Sequence, residues 1–385
     1  MNTFTPNPEG NKSSGPLAGI RVIDFSTLLP GPMCSLILAR AGAEVIKIER
    51  PGRGDEMRSY EPKFGDDSVN FALLNQGKRS LALDLKNASD VQKAVDLVRD
   101  ADIVLEQFRP GVMDRLGLGY KAMSTLNPRL IYCAITGWGQ HGPLAEMAAH
   151  DLNYQAEAGL LGLTAGVDGS PVLPNVLAAD IAGGAYPAVM NILLALQSRQ
   201  ADGKGRMLDI AMADNLFAFN YWGLGNGYTK GQWPVAGQEL LTGGTPRYQI
   251  YRTQDNRFLA AAPLEQKFWE NFLKVLGAPQ LIDDSKSPVL VREAIAQIIV
   301  GRTADEWMER FKGVDACVSE VKSLQDAADS PHFHARGIFS DRVNDGAGRE
   351  IPALPLPIDA SFRNTPASAY PGLGEADPSD FQSKS

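Results

Sequence analysis

The sequence predicts an α/β protein in which a large domain with a parallel sheet is combined with a smaller α/β domain. Short apolar strands alternate with helical segments over the first half of the chain, and such alternation is typical of a parallel sheet covered on both faces. The length of 385 residues favours two domains. With 44% hydrophobic and 21% charged residues, the composition excludes disordered and fibrous proteins.

The first strand–helix–strand unit is predicted close to the N-terminus. Residues 22–25 form an apolar run typical of a strand, and residues 30–32, Pro-Gly-Pro, interrupt it. Residues 33–41 have helical potential, and residues 44–49 alternate polar and apolar side chains as a strand does.

The alternation continues along the chain. Further strands are predicted over residues 81–85, 103–106, 130–135 and 207–212, and helices over residues 89–100 and 178–200.

A smaller domain is predicted where the composition shifts to Gly, Trp, Asn and Pro, near residue 223. Residues 247–262 form a hairpin pattern that turns at Asp255-Asn256. The predicted division is a first part of the large domain over residues 1–222, a small domain over 223–330, and a return segment to the large domain over 331–385. Helices of the small domain are predicted over residues 266–276, 291–300 and 304–311.

Charge and cysteine content exclude several classes of function. The net charge of −8, with no block of like charges, disfavours a nucleic-acid partner. The three widely spaced cysteines, Cys34, Cys133 and Cys317, form no CxxC pair, which indicates buried reduced thiols and no structural metal. We find no signal peptide and no membrane-spanning apolar stretch, so a cytoplasmic location and no membrane partner are expected.

The turn after the first strand excludes two common nucleotide enzymes. It contains Pro30 and Pro32 in place of a GxGxxG pattern, and proline has no N–H group to offer a pyrophosphate. No P-loop is present either. Nicotinamide dehydrogenases and nucleoside triphosphatases are therefore disfavoured.

Three short stretches between residues 136 and 184 combine polar side chains with small ones. His150 and Asp151 precede a helical run, where Asp151 has a plain structural role as a helix cap. Asp180 opens an apolar helix, in which a carboxylate would lie at the positive end of the helix dipole. Gly183 and Gly184 weaken that helix by roughly 1 kcal/mol each, so another group is expected to approach its backbone closely. The stretches are TGWGQHGP (136–143), AAHDLNY (148–154) and LAADIAGG (177–184).

Motifs spread from Leu17 to the C-terminal segment resemble those of the class III CoA-transferase (CaiB/BaiF) superfamily, and within it those of α-methylacyl-CoA racemases. The resemblance implies a large Rossmann-like domain, an interlocked homodimer, an acyl-CoA substrate and no separate cofactor, because CoA is part of the substrate. The motifs are PLAGIRVIDFSTLLPGP, AGAEVIKIERP, NQGKRSLALDLK, FRPGVMDRLGLGY, ITGWGQHGP, AHDLNY, ADIAGG, GKGRMLDIAMAD and the stretch from TGGTPRYQIYRT to LEQKFW.

The resemblance also implies roles for individual residues. His150 and Asp180 match the two acid/base groups that exchange the α-proton of a 2-methylacyl thioester on opposite faces of the carbon. Glu265 matches a carboxylate that holds the histidine. Tyr154 and Tyr248 match tyrosines that line the site.

Residues that bind the CoA portion are implied in the same way. Arg109 and Arg115 match positions that contact CoA. The acidic nucleotide end is expected to meet a group of cations, and the enolate oxygen to meet backbone N–H groups after Asp151. Asp151 itself is expected among the residues that bind the substrate. The expected cations are Arg50, Lys78 and Arg79.

Two other functions remain open on the sequence. A class III CoA-transferase would use Asp180 as a nucleophile that forms an acyl anhydride and then an enzyme–CoA thioester. A histidine at position 150 and a short glycine run at Gly243-Gly244 favour the racemase. Val176, where racemases have Asn, and Arg247, which would suit an acyl group with a carboxylate, favour the transferase. The third possibility is a CoA-binding or scaffold protein without activity.

Overall fold

The computed structural model describes residues 15–166, 168–285, 287–363 and 368–381. The chain forms two compact units. The first unit comprises the chain up to Ala158, Asn175–Ala218, and the chain from Gly337 onward. The second unit comprises Gly159–Pro174 and Phe219–Arg336. The sequence placed single boundaries at 222/223 and 330/331, and did not separate Gly159–Pro174 from its neighbours.

The elements up to residue 216 belong to the first unit. They are β1 (Arg21–Asp24), α1 (Pro30–Arg40), β2 (Glu44–Glu49), β3 (Lys63–Phe64), β4 (Asp67–Ser68), α2 (Val69–Asn75), β5 (Arg79–Ala82), α3 (Ala88–Arg99), β6 (Ile103–Glu106), α4 (Val112–Arg115), α5 (Tyr120–Leu126), β7 (Ile131–Thr136), α6 (Asp151–Glu157), a π-helical segment (Ala178–Ala185) continuous with α7 (Tyr186–Asp202), β8 (Arg206–Ala211) and α8 (Met212–Leu216).

The remaining elements follow in chain order. They are α9 (Tyr221–Lys230), β9 (Gln249–Arg252), β10 (Phe258–Ala261), α10 (Gln266–Leu276), α11 (Pro288–Ile299), α12 (Ala304–Phe311), β11 (Val318–Glu320), α13 (Leu324–Ala328), α14 (Pro331–Ala335), β12 (Arg342–Asn344), β13 (Glu350–Pro352) and β14 (Ser368–Ala369).

A six-stranded parallel sheet organises the first unit, in the order β5-β2-β1-β6-β7-β8. Val22 of β1 pairs with Val45 of β2 on one side and with Ile103 of β6 on the other. The order of strands therefore reverses between β1 and β6, and ligands of doubly wound sheets bind in the crevice at such a switch point. The predicted parallel sheet is confirmed, and all six strands lie within three residues of their predicted bounds.

The start of α1 differs from the prediction. The helix begins at Pro30 itself, with proline in its first turn, although the sequence pattern suggested an interruption over residues 30–32. Proline is tolerated there because the first N–H groups of a helix have no partner within the helix.

The continuous helix over Ala178–Asp202 is long enough, and over its most apolar stretch hydrophobic enough, to cross a membrane. Half of that stretch is buried in the protein, and buried core helices meet the same criteria of length and composition. These two properties are therefore weak support for a membrane span.

One face of the sheet carries a hydrophobic core of the first unit. Ile23, Val104 and Tyr132 project from neighbouring strands into this core, where at most 1% of each residue is exposed. Phe381, close to the end of the described chain, is 2% exposed and belongs to the same core. The C-terminal segment thus returns to the large unit.

The second unit is built on a three-stranded antiparallel sheet in the order β11-β10-β9. The predicted hairpin is confirmed, with Asn256 at φ 63° in its turn. The predicted helices 266–276 and 304–311 have the same bounds in the structure. Their buried Trp269 and Trp307 help to form the core of this unit.

Candidate active site

A cavity of about 400 Å³ opens in the first unit at the carboxyl ends of β1, β6, β7 and β8. Parallel strands bring the loops that follow them to one edge of the sheet, so residues far apart in sequence meet here. The residues that line it are Leu28, Pro30, Gln107, Phe108, Arg109, Pro110, Ile135, Thr136, Gly137, Trp138, Ala145, Met147, Ala148, Ala149, His150, Asn153, Tyr154, Asp180 and Met212.

Gln107 joins the loops that follow β1 and β6 at the switch point. Its Oε1 accepts a hydrogen bond from the N–H of Gly31 at 3.0 Å, and its Nε2 donates to the carbonyl of Thr27 at 2.6 Å. A Cβ on Gly31 would lie 2.1 Å from the Cβ of Ser26, so only glycine fits. The N–H of Gly31, in the first turn of α1, is thus bonded within the protein.

His150 lies at the entry to α6, is exposed and lines the cavity. Its backbone N–H donates to Oδ1 of Asn153 at 3.0 Å, and its carbonyl accepts from the N–H of the same residue at 2.8 Å. This reciprocal pairing fixes the turn at which the chain enters the helix. The imidazole therefore extends from a rigid start of a helix.

Tyr154 lines the same cavity as His150 and fixes the segment that precedes it. Its hydroxyl donates to the carbonyl of Ala149 at 2.9 Å, and its ring lies edge-on to Trp138 at 4.9 Å. A Cβ on Gly137 would come within 2.5 Å of the Tyr154 ring. Burial, followed by the charge of Asp180, raises the pKa of Tyr154 to about 12, so the phenol stays protonated as a donor.

Asp180 extends from the π-helical segment into the same cavity as His150. The sequence predicts that Asp180 opens the helix, but the helix begins at Ala178 and Asp180 lies within its first turn. Burial raises the pKa of Asp180 to about 6, the charge of Asp151 also raises it, and His150 opposes the rise. A carboxyl group with this pKa exchanges protons readily near neutrality, which suits an acid/base catalyst.

Asp151 does not line the cavity but lies behind it, with 5% of the residue exposed. Its Oδ1 accepts hydrogen bonds from the backbone N–H groups of Ala179 and Asp180, at 2.7 and 3.0 Å. Its Oδ2 accepts from Nε2 of Gln155 at 2.6 Å. Asp151 is predicted to bind substrate, but its carboxylate accepts hydrogen bonds from the backbone that carries Asp180.

The two glycines of the π-helical segment are required by α8. A Cβ on Gly183 would lie 2.4 Å from the carbonyl oxygen of Met212, and a Cβ on Gly184 would lie 3.0 Å from the Met212 side chain. The close approach expected from the sequence is confirmed. The approaching group is a packed helix rather than a ligand.

Of the arginines and lysine implied for CoA, Arg109 lines the cavity. It is exposed and lies in the loop after β6, where its charge lowers the pKa of Tyr154. Arg50, after β2, and Arg115, at the end of α4, are also exposed but do not line the cavity. The roles of all three toward CoA stay predictions.

Lys78 and Arg79 have other partners. The ammonium of Lys78 is fully buried and donates to the carbonyl of Pro32 and to Oδ1 of Asn75, both at 2.8 Å. Burial lowers the pKa of Lys78 to about 7. Since its ammonium is enclosed, Lys78 does not present a cation to a nucleotide in this structure.

Arg79 is half exposed but is engaged by the returning C-terminal segment. Its guanidinium forms an ion pair with Asp380 at 2.6 Å and lies 4.4 Å from the ring centre of Phe381. Its observed partners are thus groups of the protein itself.

Glu265, Tyr248 and Arg247 belong to the second unit. Glu265 is exposed at the start of α10, and its expected pairing with His150 stays a prediction. Tyr248 lines a separate cavity of about 890 Å³ in that unit. Arg247 donates to both carboxylate oxygens of Asp284, at 2.8 and 3.0 Å, so its guanidinium is not free to select a substrate carboxylate.

Glu106, the last residue of β6, was not identified from the sequence as a candidate site residue. It is 5% exposed, and its carboxylate accepts from the N–H of Phe108 at 2.7 Å, which shapes the loop that carries Arg109. Burial raises the pKa of Glu106 to about 7, and the charges of Asp114 and Asp209 add to the rise. A charged residue at the end of an otherwise apolar strand was the signal that could have revealed it.

The cysteines meet the expectation in part. Cys34 and Cys133 are buried, whereas Cys317 is exposed, so the expectation of buried thiols is wrong for Cys317. Burial raises the pKa of both buried thiols, so they stay protonated and unreactive.

Comparison with known proteins decides the family. A family model described as CoA-transferase family III matches residues 17–377. The chain belongs to CoA-transferase family III.

Individual relatives in family III have different activities. The human alpha-methylacyl-CoA racemase is 34% identical over 358 residues, which cover 91% of this chain and 90% of that protein. The acetyl-CoA:oxalate CoA-transferase of Acetobacter aceti is 34% identical over 357 residues, which cover 90% of each. A crystal structure of a CAIB/BAIF family protein from Brucella suis has a TM-score of 0.80 and 29% identity, covering 94% of this chain and 97% of that one. The protein is thus similar to racemases and to transferases alike.

Proposed function

We propose that this family III protein is a racemase that epimerises the α-carbon of 2-methylacyl-CoA thioesters. The observation that carries the proposal is the presence of His150 and Asp180 on one cavity, with a pKa of about 6 for Asp180. Removal and return of an α-proton needs two groups that exchange protons near neutral pH, one on each face of the carbon.

In the proposed reaction one of the two groups takes the α-proton, and the C–H electron pair moves into the thioester as an enolate. The other group then gives a proton to the opposite face of the same carbon. The enolate oxygen is stabilised by backbone N–H groups that follow Asp151 in the first turn of α6. No bond to CoA breaks, and no acceptor is consumed.

The CoA portion is proposed to meet Arg109, with Arg50 and Arg115 as further cations toward its phosphates. These side chains are exposed, and no described residue forms a salt bridge with them. Glu265 is proposed to orient His150, and Tyr248 is proposed to contact the acyl group.

We further propose that the enzyme acts as an interlocked homodimer in the cytoplasm, without a cofactor. Sedimentation of the purified protein tests whether it is a dimer.

Deuterium exchange tests the racemase directly. With one epimer of a 2-methylacyl-CoA in D₂O and no carboxylic acid present, we expect α-deuterium incorporation together with epimerisation. Asp180→Asn removes one of the two groups and should lower turnover at least about 100-fold, the usual size of a general acid/base contribution. Asp96→Asn is the matched control, since this carboxylate is 59% exposed on α3. A near-normal rate for Asp180→Asn would contradict the proposal.

The pH dependence gives a second test. In the reactive enzyme one group of the pair His150 and Asp180 carries a proton and the other does not. The plot of kcat/KM against pH should therefore be bell-shaped, and its shape should be the same for both epimers. On the acidic side it should fall as pH drops through about 6, where Asp180 becomes protonated. Initial rates with each epimer, measured from about two pH units below that value to about three above it, define both limbs.

The alternative is CoA transfer with Asp180 as nucleophile, and the equal identity to the Acetobacter aceti transferase favours it. The carboxylate would attack the thioester carbonyl and expel CoA thiolate, leaving an acyl–aspartyl anhydride. CoA thiolate would then attack the aspartyl carbonyl, which releases the first acid and leaves an Asp180–CoA thioester. An acceptor carboxylate would displace CoA thiolate from that thioester to form a second anhydride, and the thiolate would attack its acyl carbonyl, giving the new acyl-CoA and free Asp180. Only ionised Asp180 would react, so the rate would fall below about pH 6 with no alkaline limb from this pair. Hydroxylamine trapping of an acyl-enzyme, with CoA moving only when an acid is supplied, would replace the racemase by this function.

A further inference from the structure

Two side chains of α6 hold the backbone that leads to Asp180. Asp151 and Gln155 are four residues apart, one helical turn, and are 5% and 3% exposed. Asp151 accepts from the N–H groups of Ala179 and Asp180, and Nε2 of Gln155 donates both to Asp151 and to the carbonyl of Val176, at 2.6 and 3.3 Å. We name Asp151 and Gln155 the α6 clamp.

We infer that the α6 clamp is a positioning device for Asp180, which fixes the backbone of residues 176–180 and sets the charge environment of the Asp180 carboxylate. The inference rests on the proposed role of Asp180 in the reaction. It gives Asp151 a role through Asp180 in place of direct contact with substrate.

The hydrogen bonds of Asp151 argue against contact with substrate. Both of its carboxylate oxygens are bonded within the protein, one to two backbone N–H groups and the other to Gln155. The flanking residues His150 and Asn153 line the cavity, whereas Asp151 does not. Because α6 directs Asp151 away from the cavity and toward the π-helical segment, the Asp151 charge acts on substrate only through Asp180, which that segment carries.

The charges around Asp180 come mainly from α6 and its entry. Asp151 raises the pKa of Asp180 after burial, His150 lowers it, and Tyr154 and Arg109 line the same cavity. From α1 and α8, Pro30 and Met212 approach the π-helical segment closely, and both are uncharged. The other elements packed against it carry titratable groups, including Tyr186 of α7, Asp209 of β8 and Asp214 of α8, but the charges that act on Asp180 are those of Asp151 and His150. Asp151 is therefore the negative charge whose removal should change the titration of Asp180.

Asp151→Asn separates charge from shape. The amide oxygen can still accept from the two backbone N–H groups, and the Gln155 amide can turn to accept from the new N–H₂ group. That turn takes Nε2 of Gln155 away from the Val176 carbonyl, and Gln155→Leu, which loses the same bond but keeps the Asp151 charge, is the control for it. With the charge gone, the apparent proton affinity of Asp180 should fall at least about threefold, so that the acid limb of kcat/KM moves to lower pH. Titration of ¹³C-labelled aspartate carboxyls by NMR, with the Asp180 signal assigned from Asp180→Asn, measures this without turnover.

Gln155→Leu tests the positional part of the clamp. It removes the donor to Val176 and to Asp151 at similar volume but leaves the Asp151 charge in place. We expect kcat to fall about fivefold or more because residues 176–180 lose a tether, while the acid limb does not move to lower pH. Asp96→Asn should leave both readouts unchanged.

The outcomes are distinguishable. A lower-pH titration for Asp151→Asn together with reduced kcat for Gln155→Leu supports the inference. An unchanged Asp180 titration in Asp151→Asn overturns it, as does a rise in KM alone, which would place Asp151 against substrate. A kcat for Gln155→Leu within about twofold of wild type overturns the positional part. If the titration moves but the wild-type protein neither epimerises nor transfers, the clamp stands and the proposed function fails.

Discussion

Tyr154 shows how a single side chain supports the proposed catalytic histidine. Its ring fills the space left by Gly137 and contacts Trp138, while its hydroxyl reaches back along the chain to the carbonyl of Ala149. The residue after Ala149 is His150. Tyr154, which the family resemblance placed in the site, therefore also stabilises the backbone next to His150.

Replacement of Tyr154 by Phe removes only that hydroxyl. The carbonyl of Ala149 loses its donor, which should cost about 0.5–1.5 kcal/mol of unfolding free energy, and kcat/KM should fall because the entry to α6 loosens. Urea unfolding and initial rates measure the two effects. Tyr228→Phe, at a tyrosine that is 76% exposed, should change neither. Wild-type values of both quantities for Tyr154→Phe would show that the hydroxyl does not brace His150.

At the scale of elements, the π-helical segment over Ala178–Ala185 connects catalysis to packing. Its wider turn places Asp180 in the cavity, while Gly183 and Gly184 receive Met212 of α8 from the other side. π-Helical turns are rare and occur frequently at functional sites, because they displace one residue from regular helical spacing. Here the segment is held from α6 by hydrogen bonds and from α8 by close contact.

Gly183→Ala should displace this segment. The new Cβ would meet the Met212 carbonyl oxygen at 2.4 Å, and backbone cannot yield as a flexible side chain does. We expect a loss of about 1–3 kcal/mol in unfolding free energy and reduced turnover through movement of Asp180. Gly162→Ala is the control and should unfold as wild type does, because a Cβ at Gly162 would meet no atom within 4 Å. Equal stability of the two variants would contradict this account.

Across the whole molecule, the sequence predicted best what depends on local pattern. The parallel strands, the hairpin at Asp255-Asn256 and the bounds of α10 follow from apolar periodicity and turn residues, which short segments carry by themselves. The family resemblance selected His150 and Asp180, and the structure brings them to one cavity.

What the sequence could not show is where polar side chains point. Lys78 looked like a surface cation because lysine is usually exposed, yet its ammonium is enclosed by Pro32 and Asn75. From the sequence, Asp151 was expected either to cap its own helix or to bind substrate. Its carboxylate instead accepts a hydrogen bond from the backbone of the π-helical segment, at Ala179. Both outcomes depend on contacts between residues distant in sequence, and a local pattern contains no information on them.

The return of the C-terminal segment to the large unit leads to the last prediction. Phe381 is 2% exposed in the core on one face of the sheet, its carbonyl accepts from Arg21 at 3.0 Å, and the Arg79 guanidinium lies over its ring. Phe381→Ala should cost about 3–5 kcal/mol of unfolding free energy, as buried phenylalanines usually do, because it leaves a cavity beside the sheet. Phe362→Ala, at a phenylalanine that is 54% exposed, should cost little. Urea unfolding followed by far-UV circular dichroism compares the two, and a stable Phe381→Ala variant would mean that the large unit does not depend on the returning segment.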